Sequence, residues 1–274
     1  MRSPCWGYLA DPFLVQHEGR RALLVEYLDY RTNKGELCAI ALDDPMRPGP
    51  LQSILPSRAH ASFPFVFRHQ GKLFLVPETS TDCTVEIHVC EEFPTRWRLE
   101  RVVLQGIDAA DSIIFLKDGR WWLISAIRSR EGRHLEIFFA DDPLHGRWQA
   151  HPVNQTRLYQ RVPFTSGRNA GPVIEHQGLL LRAAQRSRRY YGEGMQLMRI
   201  EMLTPTDYRE RLYDGPHPLR GMIADWSPHH LSLADGFAAF DIRDRARDLQ
   251  GLRSMPIVRR PRPEGDIPIP LAAS

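Results

Sequence analysis

The chain has 274 residues, a formal net charge of +3 and 42% hydrophobic residues. A charge this close to neutral argues against nucleic acid as a partner. The sequence has no apolar run of 18 residues that would predict a membrane span and no apolar signal core at its start. Its four cysteines lack metal-ligand spacing. We therefore expect a cytoplasmic protein without nucleic-acid partners.

One short pattern, an apolar run followed by polar residues, a glycine and a second apolar run, occurs five times. The turn glycines are Gly19, Gly71, Gly119, Gly178 and Gly236, which gives intervals of 52, 48, 59 and 58 residues. Glycine tolerates the positive φ of a tight hairpin turn, so each copy predicts two antiparallel strands. Third strands are predicted at 37–42, 85–89, 135–139 and 195–200, and edge strands near 97–99 and 148–150.

Five repeats of three or four short strands predict an all-β, five-bladed β-propeller. A two-sheet sandwich is the alternative, but it does not require five similar hairpins. We assign residues 1–250 to one propeller domain. Residues 251–274 form a Pro/Arg-rich tail, which we expect to wrap the surface or to be disordered.

Two carboxylates occupy matching places in the repeat, at the start of the first strand. Asp11 opens the strand of blade 1 and Asp111 that of blade 3, so we expect both at one mouth of the channel. Glu78 ends the second strand of blade 2 and is the third candidate. Paired carboxylates are the groups that glycosidic cleavage uses. Asp11 could instead cap the turn before Pro12, which is a structural role.

The remaining candidates are predicted to bind a substrate. Glu26, Gln185 and Asp241 end second strands, as Glu78 does, and we expect all four at one level of the propeller. The predicted substrate-binding residues are His60, Glu26, Arg168, Arg182, Gln185, Tyr191 and His230. No cofactor is predicted, and a channel metal ion at His230 is left open because histidine at a channel mouth can bind metal, hold water or contact a sugar hydroxyl.

An ordered set of short motifs carries a family resemblance. It includes Ala10–Phe13, His60–Pro64, Val76–Thr79, Phe93–Trp97, Asp111, Gly119–Leu123, Arg168–Pro172, Arg182, Gln185, Tyr191–Gly192 and His230. The set resembles the N-terminal domain of plant glucosamine inositolphosphorylceramide transferases and its bacterial relatives, over roughly Tyr8 to Ile242. The resemblance implies a five-bladed, carbohydrate-related propeller. It also implies that the glycosyltransferase chemistry of the plant proteins belongs to a separate C-terminal domain.

A more distant likeness is to glycoside hydrolase family 43, whose members are similar in placing Asp at the starts of blades 1 and 3. Their general acid is a Glu before Gly-Pro in blade 4, where this chain has Ala170 before Gly171 and Pro172. The sequence therefore departs from that family at the acid. Glu78, Glu193 or a group of the substrate are the candidate replacements.

Two functions follow from these features. The first is a glycoside hydrolase-like enzyme that acts on a glycan at the channel mouth with Asp11, Asp111 and Glu78 as catalytic residues. The second is a non-catalytic module that binds a glycan or nucleotide sugar in a surface-polysaccharide or glycolipid biosynthesis pathway, with a partner enzyme of that pathway. A protein-interaction propeller is the third alternative, and it does not explain why polar residues collect at one level of the strands.

Overall fold

The computed structural model describes residues 6–56, 59–130, 132–159, 165–187, 192–216, 228–234, 236–242 and 257–259. The strands are β1 Gly7–His17, β2 Arg20–Asp29, β3 Lys34–Ala41, β4 Leu51–Leu55, β5 Ser62–His69, β6 Lys72–Thr79, β7 Thr84–Glu92, β8 Arg96–Gln105, β9 Ala109–Lys117, β10 Arg120–Ser129, β11 Gly132–Ala140, β12 Gln149–Ala150, β13 Thr165–His176, β14 Leu179–Arg186, β15 Gly194–Leu203, β16 Tyr208–Leu212, β17 Pro228–Ala234, β18 Phe237–Ile242 and β19 Ile257–Arg259. Two short 3-10 helices lie at Ser80–Asp82 and Pro152–Thr156. None of the helices in the described ranges could cross a membrane.

The predicted β-propeller is confirmed, because the strands form separate antiparallel sheets arranged around a centre. Four sheets have four strands, in the spatial orders β1-β2-β3-β4, β5-β6-β7-β8, β12-β11-β10-β9 and β13-β14-β15-β16. Where the sequence predicts a fifth blade, the described residues form a three-stranded sheet, β17-β18-β19. The innermost strands pack against one another in the order β1, β5, β9, β13, β17, and β17 contacts β1.

The predicted hairpin turns are present in the repeats. Both residues of four turn pairs have positive φ, between 48° and 76°. The pairs are Glu18-Gly19, Gln70-Gly71, Asp118-Gly119 and Gln177-Gly178. Positive φ at both central residues defines the two-residue turn whose twist matches that of antiparallel strands. The short spacing between the two apolar runs therefore predicted the correct turn.

The predicted tail lies mostly outside the described residues. Its segment Ile257–Arg259 forms β19, which pairs with Phe237–Ala239 on the outer side of β18. This part of the predicted surface wrap is thus a strand of the fifth sheet. The domain boundary at residue 250 stays a prediction.

Every innermost strand contains a β-bulge at the same level. Ala10 pairs with Glu26 and Phe13 with Leu24, so two residues of β1 lie opposite one residue of β2. The same two-against-one count occurs in β5, β9 and β17, and in β13 three residues lie opposite one. A bulge bends the strand, re-aims its side chains and leaves backbone groups outside the ladder.

The bulge of β13 depends on a glycine. Gly171 has φ 137°, and a Cβ at this position would overlap the carbonyl oxygen of Leu231 in the neighbouring blade. The absence of a side chain lets the innermost strands of blades 4 and 5 approach closely.

We expect the substitution Gly171→Ala to lower the free energy of unfolding by about 3 kcal/mol, because the new methyl group overlaps backbone and the φ is strained. The matched control is Gly178→Ala in the same blade, where φ is +72° and no atom lies within 4 Å of the added Cβ. The control is expected to cost about 1 kcal/mol. Urea denaturation of both variants measures the difference, and equal losses would show that the close approach is unimportant.

Candidate ligand site at the centre of the ring

The bulges place both predicted aspartates in the same backbone conformation. Asp11 has φ 48° and Asp111 has φ 51°, and each is the first of the two bulged residues. Phe63 holds the equivalent place in blade 2, with φ 48°. Asp is among the residues that enter this left-handed region most readily, so the repeat itself orients the two carboxylates.

Carboxylates of neighbouring blades accept the N–H groups that these bulges release. The Asp111 N–H donates to Glu78 Oε2 over 3.1 Å, and the Asp11 N–H donates to Asp241 Oδ2 over 3.2 Å. Asp241 also accepts the His230 N–H over 2.7 Å. The acidic residues therefore satisfy backbone donors where blades meet.

Arg168 joins two of the three predicted catalytic carboxylates. Its guanidinium donates to both oxygens of Asp111, over 2.9 Å from Nη2 to Oδ1, and Nη2 lies 3.5 Å from Glu78 Oε2. The side chain of Asp111 is almost fully buried, whereas that of Arg168 is 26% exposed. The structure thus brings Asp111 and Glu78 together, but in an ion-paired arrangement.

The predicted common level of four polar residues is only partly correct. Glu26 and Glu78 are equivalent, since they pair with Ala10 and Ser62 just before the bulges. Asp241 lies opposite the bulge of β17, one residue before the position in β18 that corresponds to Glu26 and Glu78. Gln185 follows Ala184, which pairs with Asn169 just before the larger bulge of β13. The first and second strands do not pair in the same register in every blade, and this causes the differences. A sequence repeat does not show this register.

His60 and Glu26 form the more accessible edge of the cluster. His60 Nε2 lies 3.5 Å from Glu26 Oε1, and His60 Nδ1 accepts the Gly35 N–H over 2.9 Å. The His60 side chain is 38% exposed, and that of Glu26 is largely buried. Burial and the positive charges of Arg168 and Lys34 lower the pKa of His60, so the imidazole is neutral and its Nε2–H faces Glu26.

Gln185 contacts the same centre from blade 4. Its Nε2 donates to the backbone oxygen of Asn169 over 3.1 Å and lies 3.4 Å from Asp111 Oδ2. Its Oε1 is buried and accepts no hydrogen bond from the described residues. Tyr191, which was predicted to bind substrate, lies outside the described residues.

Arg182 has a different environment from the one predicted. It is fully buried, and its guanidinium donates to both oxygens of Glu210 over 2.9 and 2.6 Å and to Asn169 Oδ1 over 3.1 Å. Asn169 in turn donates to the carbonyl oxygens of Asp111 and Ile124. Arg182 therefore positions Asn169 and the Asp111 bulge, and its predicted contact with a ligand stays a prediction.

His230 lies in an aromatic environment, and its predicted contact with a ligand stays a prediction. Its ring packs against Phe13 at 4.4 Å and Phe63 at 5.5 Å between centroids, and burial lowers its pKa to about 3. The three side chains that could share a metal ion are instead Asp11, His229 and Asp241, whose ligand atoms lie within 4.8 Å of one another. The neighbouring His229 is thus the polar histidine of this centre.

Asp11, His229 and Asp241 form an ionic cluster. His229 Nδ1 lies 3.4 Å from Asp241 Oδ2 and 3.6 Å from Asp11 Oδ1. Burial disfavours a charged imidazole, but the negative charges of Asp241 and Asp11 outweigh it and raise the pKa of His229 to about 9. The protonated His229 holds Asp241 ionised and keeps the pKa of that carboxyl below its ordinary value.

Three acidic groups have pKa values above their ordinary range, and burial is the largest cause for each. It raises the pKa of Asp11 to about 7, with Asp241 and Asp111 adding to it, and the pKa of Glu78 to about 7, with Asp111 adding to it. Burial and the charges of Asp11 and Glu78 raise the pKa of Glu26 well above its ordinary value. Near neutral pH the centre can therefore hold and exchange protons.

Residues 3–214 match the family described as Glucosamine inositolphosphorylceramide transferase 1, N-terminal. The chain belongs to this family. The matched segment contains β1 to β16 and ends before β17, so it is shorter than the resemblance to Ile242 that the sequence motifs predicted.

Curated relatives include two proteins named Glucosamine inositolphosphorylceramide transferase 1. Over 208 residues the chain is 31% identical to the protein of Arabidopsis thaliana and 30% identical to that of Oryza sativa subsp. japonica. Each match covers 74% of this chain and 27% of the relative. The chain therefore corresponds to about a quarter of the length of these relatives.

Solved structures with the same fold are glycoside hydrolases. The native arabinanase Arb43A of Bacillus subtilis has a TM-score of 0.62 at 14% identity, covering 93% of this chain and 94% of that one. An exo-1,5-alpha-L-arabinanase from a bovine ruminal metagenomic library has a TM-score of 0.60 at 12% identity, covering 99% of both chains. At such identities the likeness shows the fold.

We expect Arg182→Met to lower the free energy of unfolding by about 3–5 kcal/mol, because it leaves the buried Glu210 carboxylate unpaired. The double variant Arg182→Met, Glu210→Leu removes the stranded charge as well and is expected to be more stable than the single variant. Chemical denaturation of both variants and of Glu210→Leu gives the coupling energy. Additive losses would mean that Arg182 and Glu210 do not stabilise the fold through their ion pair.

The raised pKa of Asp11 predicts a pH-dependent stability. The folded protein holds this proton more tightly than the unfolded chain, whose Asp has a pKa near 4, so the free energy of unfolding falls as pH rises from about 4 to about 7. Asp11→Asn removes this contribution to the pH dependence. The slope of the free energy of unfolding against pH then changes by on the order of 1 kcal/mol per pH unit. Denaturation at several pH values checks it, with the exposed Asp118→Asn as control.

Proposed function

We propose that the propeller binds a sugar, as part of a glycan or nucleotide sugar, at the opening bounded by Glu26, His60 and Arg168. The observation that carries the proposal is the bidentate ion pair of Arg168 with Asp111, which also draws in Glu78. The opening offers a carboxyl group, an imidazole N–H and guanidinium donors to hydroxyl groups. A sugar hydroxyl can both donate and accept, so it can use each of them.

The ion pair argues for binding over cleavage by the predicted residues. Glycosidic cleavage needs one carboxyl group to protonate the leaving oxygen and another to act as base or nucleophile. Both oxygens of Asp111 contact Arg168, and Glu78 Oε2 accepts a backbone N–H. The residue before the blade 4 Gly-Pro is Ala170, which is fully buried and offers no acid.

The comparisons support a carbohydrate ligand. The family and the curated relatives bear the name of a transferase that acts in glycolipid synthesis, and the propellers of similar fold are named as hydrolases of polysaccharides. In this proposal the chain serves a polysaccharide or glycolipid biosynthesis pathway, with an enzyme of that pathway as partner. The predicted cytoplasmic location is retained as part of the proposal.

A second candidate function is hydrolysis through a different pair of carboxyl groups. Among the described residues no ion pair joins Asp11 to an arginine, its pKa is raised to about 7, and the pKa of Glu26 lies well above its ordinary value. A group with a pKa near 7 serves as general base, and a protonated Glu26 beside the opening serves as general acid. In this second candidate function Asp11 is a catalytic residue, as predicted, and the general acid is Glu26 instead of Glu78.

One pair of measurements distinguishes the two functions. Calorimetric titration of the wild-type protein with a panel of oligosaccharides and nucleotide sugars is expected to show saturable binding, weakened at least about tenfold by Glu26→Gln. Chromatography of the same mixtures after long incubation is expected to show unchanged ligand. Product formed by the wild type and lost in Asp11→Asn would establish hydrolysis instead. Asp118→Asn on the surface is the control, and the absence of any sugar binding contradicts both functions.

A further inference from the structure

Gly35 joins blade 1 to blade 2 beside the opening. β4 pairs with β3 only from Leu37 to Ile40, so β4 does not cover the outer edge of β3 at Gly35. His60 and Ala61 of blade 2 occupy this edge instead. The Gly35 N–H donates to His60 Nδ1 over 2.9 Å, and the Ala61 N–H donates to the Gly35 carbonyl oxygen over 3.0 Å. The imidazole nitrogen thus takes the place that the carbonyl oxygen of a neighbouring strand would have.

The hydrogen bond from Gly35 fixes the tautomer of His60. A neutral imidazole has one N–H and one acceptor nitrogen, so the acceptor role of Nδ1 leaves the hydrogen on Nε2. His60 Nε2 lies 3.5 Å from Glu26 Oε1, which is longer than a good hydrogen bond, and the His60 side chain is partly exposed. The Nε2–H therefore remains available to a hydroxyl group at the opening.

The lack of a side chain at Gly35 makes room for both of these groups. A Cβ on Gly35 would lie 2.5 Å from Glu26 Oε1, 2.7 Å from His60 Cε1 and 2.8 Å from the Ala61 carbonyl oxygen, closer than real Cβ atoms come to other atoms. The φ of Gly35 lies outside the left-handed region, so its backbone conformation does not require glycine. The contact with Glu26 and His60 is what excludes a side chain.

The propeller repeat does not require glycine at this place either. Gly35 pairs with Leu28, two residues beyond the pair that precedes the bulge of β1. Arg133 holds the same place in blade 3, where it pairs with Arg128. The guanidinium of Arg133 donates to Asp108 Oδ1 over 2.8 Å, so this place in a blade can hold a long side chain. The glycine therefore belongs to the joint between blades 1 and 2.

We propose that Gly35 is a positioning residue of the sugar site: its N–H fixes His60 as a donor, and its lack of a side chain lets Glu26 lie beside that donor. This inference rests on the proposed sugar-binding function. A sugar hydroxyl can accept from His60 Nε2–H and donate to the Glu26 carboxyl group, so it can use both groups together. Binding then depends on Gly35, although Gly35 has no side chain that could contact the sugar.

Two variants of His60 separate the roles of its two nitrogens. His60→Asn keeps an acceptor where Nδ1 meets Gly35 and has no donor at the place of Nε2, whereas His60→Gln keeps that donor and loses the acceptor. Calorimetric titration with cellotriose and with UDP-glucose is expected to show binding about tenfold weaker in His60→Asn and about threefold weaker in His60→Gln. Urea denaturation is expected to show an unchanged midpoint for His60→Asn and a lower one for His60→Gln. The reverse order in the two measurements would overturn the inference.

Gly35→Ala tests the position itself. It is expected to weaken binding of the same two probes at least about tenfold, because the new methyl group displaces His60 and Glu26. The matched control is Gly146→Ala, whose added Cβ would overlap the Asp142 carbonyl oxygen and no residue of the opening. Both variants are expected to have a lower urea midpoint, but only Gly35→Ala loses affinity. Equal losses of affinity in the two variants, or none in Gly35→Ala, would contradict the positioning role.

Nitrogen NMR spectra of the imidazole separate this inference from the proposed function. At neutral pH the wild-type signal that disappears in His60→Asn is expected to show the hydrogen on Nε2, and Gly35→Ala is expected to give a mixture of the two tautomers. An Nδ1–H form in the wild type, or an identical spectrum in Gly35→Ala, would overturn the inference even where both sugars bind. The expected spectra without binding of either sugar would support the positioning of His60 by Gly35 and count against the sugar-binding function alone.

Discussion

The bulge in each innermost strand is the constraint on which the rest of the structure depends. Five strands that converge on one centre cannot all keep a regular ladder there, and each is interrupted at the same level. The interruption releases N–H groups that need new acceptors. Glu78 and Asp241 supply them across blade boundaries, to Asp111 and Asp11 respectively. The acidic centre is thus part of how neighbouring blades are joined.

This arrangement explains the unusual charge of the centre. Carboxylates are good acceptors for backbone N–H groups, but several of them in one buried place repel one another and resist ionisation. Arg168 and His229 compensate for part of this repulsion, each between two carboxyl groups. Burial, with the remaining repulsion among the carboxyl groups adding to it, raises the pKa values of Asp11, Glu26 and Glu78. The acidic centre and its raised pKa values therefore follow from how neighbouring blades are joined.

The sequence predicted those features that depend on local pattern. The hairpin turns follow from glycine and its neighbour, and the equivalence of Asp11 with Asp111, and of Glu26 with Glu78, follows from counting residues from those turns. The ion pair of Arg182 with Glu210 had no such signal, because Glu210 belongs to an outer strand with no fixed place in the repeat.

Register was the other limit of sequence-based prediction. His229 and His230 are adjacent, and only their opposite faces decide that one meets Asp241 and Asp11 while the other packs on Phe13. The sequence favoured His230, although a bulge places neighbouring side chains in different environments.

The fifth sheet decides the state of Asp11, although it lies beyond the family match. The match ends at residue 214, whereas the acceptor of the Asp11 N–H and its cationic neighbour are Asp241 and His229. Burial raises the pKa of Asp11 most, the charge of His229 lowers it and the charge of Asp241 raises it, so two of the groups that set this pKa lie in the fifth sheet. Blades 1 to 4 supply Glu26, His60 and Arg168, and the fifth sheet supplies His229 and Asp241. The charge of the centre therefore depends on residues on both sides of the limit of the family match.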